Sequence, residues 1–195
     1  DIGWLLDGFR MRFERREAVA AIAAVKGFFA PKGIAVIGAS RHRGTIGGEL
    51  FRNLIEAEFN GPVYPVNPKS SVVQSVVSYP SVLDCPGEVD LAFIVVPASF
   101  VVPVAKECAK KGVHSLVIIS AGFSETGEKG TLLQQELITV CREAGMRVIG
   151  PNCMGIVNTN NQVSLNGQFS PFKPLQGKVG FLSQSGALGI AVIEY

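Results

Sequence analysis

Gly38, Ala39 and Ser40 stand between a short β-branched run, Ile34-Ala35-Val36-Ile37, and a helical pattern that begins near Ile46. Three residues with almost no side chain at that place let a ligand reach the backbone, and the free N–H groups and dipole of a helix N-terminus favour a phosphate. The chemistry implied is the holding of an anion. The spacing is G-x-S-x-x-x-G-x-x-G, with Ser40 where a dinucleotide fingerprint has its second glycine and one residue too many before the next. An ordinary NAD site is therefore a poor match. A strand-to-helix turn without any ligand would use the same glycines.

Lys69 is the second residue of chemical interest. An NAD site usually places Asp or Glu at the end of its second strand, where it accepts from the ribose hydroxyls, whereas this chain has Asn67-Pro68-Lys69 there. A cation suits a phosphorylated ribose, either NADP with its 2′-phosphate or coenzyme A with its 3′-phosphate. A turn lysine facing solvent fits the same pattern. Pro97 and Ala98 give a flat apolar edge suited to adenine or ribose, and Ser120, Ala121 and Gly122 offer backbone groups to the same crevice. The loops to inspect are 38–47, 67–70, 97–99, 120–124 and 151–155, because a doubly wound sheet holds its ligand beyond the carboxyl ends of its strands.

To gather those loops the chain needs parallel strands joined by helices, and from Gly33 onward apolar runs do alternate with helical patterns. Val63–Val66, Asp90–Val96, Val113–Ser120 and Arg147–Gly150 read as further strands. Helices are expected from Ile46 to the Asn60-Gly61-Pro62 turn, from Pro97-Ala98-Ser99 to Lys111 with Pro103 in the first turn, and from Glu128 to Ala144 before Gly145. The fold class is α/β, a Rossmann-like doubly wound parallel sheet over 31–156. Residues 1–30 read as an N-terminal arm or interdomain helix in which Glu14 and Glu17 interrupt the arginines, a solvated face rather than a nucleic-acid patch. Residues 157–176 lose periodicity and read as a linker. A strand Lys178–Leu182, the turn Ser183-Gln184-Ser185-Gly186 and an apolar helix then repeat the strand–turn–helix scheme. That unit predicts the truncated start of a second, flavodoxin-like α/β domain over 177–195.

The 195 residues, 47% hydrophobic, suffice for a sizeable core. Eighteen Lys and Arg against 16 Asp and Glu leave a net charge of +2, too small for a general nucleic-acid or membrane-surface role. Cys85, Cys108, Cys141 and Cys153 form no C-x-x-C pair, which argues against metal ligation and disulfides and for reduced thiols in the cytoplasm. No apolar run is long enough to span a bilayer, and no signal peptide is expected. The sequence starts at Asp1 and still runs in a helical pattern at Tyr195, so it reads as part of a longer protein.

Six ordered stretches, IAVIGAS, VYPVNPK, IVVPA, VIISAGF, IGPNCMG and GKVGFLSQSGALG, resemble the CoA-binding domain of the NDP-forming acyl-CoA synthetases. That superfamily includes ADP-forming acetyl-CoA synthetase and the succinyl-CoA synthetase α subunit, and the likeness covers residues 28–195. The resemblance implies that Gly38, Ala39, Ser40, Arg41 and Gly44 hold the CoA phosphates and that Lys69 is the CoA-binding lysine. It implies further that Pro97 and Ala98 receive the nucleotide end, that Ile119, Ser120 and Ala121 form another CoA segment, and that Asn152 and Cys153 lie near the pantetheine thiol. Ser183, Ser185 and Gly186 match the turn whose helix N-terminus receives the family's phosphohistidine. That histidine belongs to a later motif. His42 and His114 are in the wrong setting, so no catalytic residue is assigned, and Ile190 stands where the succinyl-specific subunit has tyrosine. The implied ligand is coenzyme A or acetyl-CoA, and the implied reaction of the parent is acyl-CoA + NDP + phosphate to acid + CoA + NTP. Implied partners are the remaining domains of a parent chain, an ATP-grasp or an acetyltransferase, with a homo-oligomer also expected. The arm and the segment FFAPKGIAVIGAS are also similar to the junction in bacterial proteins fused to a Gcn5-type acetyltransferase. There the domain would be a non-catalytic CoA or acetyl-CoA sensor.

Overall fold

The computed structural model describes residue 22 and residues 25–194. Most of the arm expected over 1–30 lies outside them; its end, 25–29, is helical and buries Phe28 against the domain. The domain itself runs β1 (Ile34–Ile37), α1 (Ile46–Glu56), β2 (Val63–Val66), β3 (Val72–Val73), β4 (Val76–Val77) and β5 (Leu91–Ile94). It continues with α2 (Ala98–Lys111), β6 (Ser115–Ile118), α3 (Glu128–Glu143) and β7 (Arg147–Ile149). Five of the strands form one parallel sheet in the order β2-β1-β5-β6-β7, with Ile34 between Val63 and Leu91. The Rossmann-like expectation holds.

The runs of β1, β5 and β6 are unbroken rather than alternating because these strands are buried on both faces, so alternate residues feed two cores. Ala35, Ile37, Ala92, Ile94, Leu116 and Ile118 face Val101, Ala105 and Leu137 of α2 and α3. Ile34, Val36, Leu91, Phe93 and Val117 face Leu50, Phe51 and Leu54 of α1. The chain leaves β1 toward one edge to make β2 and returns to the other side of β1 to make β5. The order therefore reverses between β1 and β5, and the crevice at their carboxyl ends is the topological switch point where such sheets bind ligands.

Three expectations are corrected. Residues 157–176 are not an unstructured linker: β8 (Gly155–Asn158) and β9 (Leu165–Gln168) pair as an antiparallel hairpin packed on α1. Leu165 is only 1% exposed, and Asn53 of α1 donates Nδ2 to Gln168 O at 2.7 Å and to Ser170 O at 2.9 Å. Gly167 lies against the Phe93 ring, where a Cβ would sit 2.2 Å from Cζ. A glycine and buried amides inside the strand erase the apolar alternation by which it would be read. Lys178–Leu182, expected as a strand, has no strand partner among the described residues, and Val179 and Leu182 stand 92% and 99% exposed. A strand needs a neighbour for its N–H and C=O groups. Finally, α2 starts at Ala98, so Pro103 lies beyond its first turn, on an exposed face of the helix.

Candidate functional site

The chain leaves β1 through Gly38, whose φ is +93° and where a Cβ would lie 2.2 Å from Val95 O. Only glycine lets the tips of β1 and β5 approach this closely. In the loop that follows, the carbonyls are tied to the protein. Asn67 Nδ2 donates to Ala39 O at 2.8 Å, Gln74 Nε2 donates to Ser40 O at 3.1 Å and Gly48 O at 2.9 Å, and Thr45 Oγ1 donates to His42 O at 2.8 Å. Thr45 also caps α1 by accepting from Gly48 N at 3.2 Å. With the Ala39, Ser40 and His42 carbonyls engaged in this way the loop turns fewer acceptors toward an anion, while its His42 N–H is itself donated to Ser40 Oγ at 3.1 Å. One anionic oxygen is already there: Glu49 Oε1 accepts the Gly44 N–H at 2.8 Å. Arg41 and Arg43 stand exposed on the same loop.

Lys69 follows β2 in a turn where Asn67 Oδ1 accepts the Lys69 N–H at 2.9 Å. Asn67 thus holds the backbone of the exposed lysine with one end of its amide and the Ala39 carbonyl with the other. At the next tips, Ser120 Oγ donates to Val96 O at 2.5 Å and accepts from Val96 N at 3.1 Å, while the Asn152 N–H donates to Ser120 O at 3.0 Å. The tips of all five parallel strands are laced together in one row. The Ser120 hydroxyl serves that lacing, and Ile119 is buried with its N–H bonded to Ile94 O at 3.0 Å. Of that segment Ala121 is the exposed residue, beside exposed Pro97 and half-buried Ala98.

Residues 32–159 match the CoA binding domain family. The chain belongs to that family. The α subunit of ADP-forming acetate–CoA ligase II from Pyrococcus furiosus is 51% identical over 166 residues, which make up 85% of this chain and 35% of that one. A solved protein from Pyrococcus horikoshii OT3 superposes with a TM-score of 0.82 at 50% identity, over 87% of this chain and 38% of that one. The apo form of the dinucleotide forming acetyl-coenzyme A synthetase 1 of Ca. Korarchaeum cryptofilum gives 0.81 at 42% identity, over 88% and 36%. This chain therefore spans 35% of the length of the first of these relatives.

Beside the CoA-binding domain's strand tips, Cys153 Sγ lies 3.3 Å from Ile118 O, and burial pushes its pKa up to about 11, which leaves a neutral thiol at physiological pH. Ser183 Oγ accepts the Ser185 N–H at 3.0 Å, and Ser185 Oγ accepts the Leu188 N–H at 3.3 Å, ordering the start of α4 (Gly186–Glu194). Gly186 and Gly189 lie against Met154, next to Cys153. His42 and His114 are exposed, and among the described residues no cluster of His, Cys, Asp and Glu is arranged to hold a metal. Sequence reasoning missed Thr45, Asn67, Glu49 and Gln74. A threonine before an apolar helical run was a legible cap, and Asn before Pro a legible turn. The contacts of Gln74, 34 and 26 residues away in sequence, leave no local signal.

Proposed function

We propose that this domain binds coenzyme A, or its acetyl ester, along the strand tips and is the CoA-binding part of an ADP-forming acyl-CoA ligase. Gly38, Ala39, Ser40, Arg41 and Gly44 hold the diphosphate, the Gly44 N–H exchanging Glu49 Oε1 for a phosphate oxygen, Lys69 takes the 3′-phosphate, and Pro97, Ala98 and Ala121 border the adenosine. The pantetheine arm runs toward Asn152 and Cys153. The observation that carries this reading is the Asn67 amide, which joins the backbone of the lysine's turn to the phosphate loop at 2.9 Å and 2.8 Å and supports reading them as one site. Family membership favours CoA over NADP for that site.

In the parent, acyl-CoA + NDP + phosphate gives acid + CoA + NTP, as the names of the ligase relatives suggest. The start of α4, with Ser183, Ser185 and Gly186, receives a phosphate, and residues 177–195 open the second α/β domain. The phosphohistidine and the ATP-grasp domain come from other parts of the assembly, which is cytoplasmic and oligomeric. Ligase relatives, mostly archaeal, give no support to a fused acetyltransferase or a bacterial source. Calorimetry with CoA, dephospho-CoA and NADP tests the reading: CoA is expected to bind tightest, and indifference to all three would overturn it.

A further inference from the structure

We infer that Gln74 is a positioning residue of the phosphate loop, turning the Ser40 carbonyl away from the ligand and tying it to the first turn of α1, so that the neighbouring N–H groups are presented to the diphosphate. The inference rests on the CoA reading above. An anion-binding loop is attractive only if its carbonyl oxygens point elsewhere, since each carries partial negative charge. Ser40 O in the loop and Gly48 O in the first turn of α1 both accept from the one Gln74 amide nitrogen, at 3.1 Å and 2.9 Å. The side chain thus spans the loop as a tie bar between its first residues and the first turn of α1.

Gln74 reaches this place from outside the sheet. β3 and β4 form a hairpin whose two-residue turn is Gln74-Ser75, with φ of +49° and +68°. Such turns favour Asn-Gly because both positions are left-handed, so glutamine is a poor choice by turn chemistry. Its side-chain bonds offset that conformational cost. Val73, fully buried in the core that includes Leu50 and Phe51, fixes the hairpin against the loop side of α1. The same excursion carries Lys69 at its start, so one segment both closes on the loop and delivers the cation.

Two variants separate binding from folding. Gln74→Gly removes the amide but suits a φ of +49°, so relief of the left-handed strain offsets the two lost bonds and thermal stability is expected to stay level, and Gln74→Leu keeps the bulk without donors. Measured by calorimetry on the 195-residue chain, both are expected to weaken CoA and dephospho-CoA alike, by about tenfold. The CoA to dephospho-CoA ratio should stay as in the wild type, while Lys69→Ala should collapse it. Without ligand, amide exchange over residues 39–48 is expected to quicken in Gln74→Gly. Wild-type affinity for CoA in both variants, or unchanged exchange of those amides, would overturn the inference. A wild-type chain indifferent to CoA would instead defeat the CoA reading, and the exchange rates alone would then decide whether Gln74 orders the loop.

Discussion

Lys69 is exposed, on a turn anchored through Asn67, and its ammonium acts as a point charge rather than a bidentate clamp. Lys69→Ala is therefore expected to lower CoA affinity by roughly tenfold and leave dephospho-CoA nearly unchanged, a difference read by titration calorimetry. Cys153 makes the opposite case. Its thiol, pushed up to about 11 by burial, should react with iodoacetamide far more slowly at pH 8 than a free cysteine, with the rate climbing only as pH approaches that value. Mass spectrometry after timed alkylation checks this. At this scale the sequence revealed which residues sit at the strand tips, because glycines, the lysine and the prolines punctuate apolar runs. It did not reveal that the Ser120 hydroxyl is taken by Val96 or that Ile119 is inside the core, since those depend on the neighbouring strand.

The elements rest on close approaches that tolerate little substitution. Gly38→Ala would place a Cβ 2.2 Å from Val95 O at a φ of +93°, and we expect it to cost about 2–4 kcal/mol and to disorder the loop, measurable as a lower urea midpoint. Leu165→Ala should cost about 2–5 kcal/mol by the same measurement, because β9 is a structural layer on α1. The parallel strands and their helices were legible from periodicity, including the left-handed Gly145 after α3. The β8–β9 hairpin was not. Asn166, Gly167 and Gln168 are all buried, and buried polar or side-chain-free positions look like a loop until their partners on α1 are known.

Across the molecule, burial raises the thiols of Cys85, Cys141 and Cys153 to about 11 and raises that of Cys108 as well. A thiol whose folded pKa lies above its unfolded value keeps its proton more firmly when folded. Its contribution is intact below about 8.5 and is lost as pH rises toward 11. Denaturation midpoints should therefore fall steadily over that interval. CoA at one hundred times its dissociation constant should add about 2.7 kcal/mol to stability at neutral pH, seen as a higher melting temperature. The doubly wound architecture was legible at this scale, as five ordered motifs, from IAVIGAS to IGPNCMG, mark the succession of the five parallel strands. The exposed stretch after Gly177 has a colloidal consequence. With Val179, Leu182, Leu188 and Val192 all open to solvent, ammonium sulfate should drive the chain to self-associate, whereas sodium chloride should loosen its grip on any phosphorylated ligand. Light scattering and affinity measured against ionic strength would thus move in opposite senses, one reporting greasy contact and the other charge.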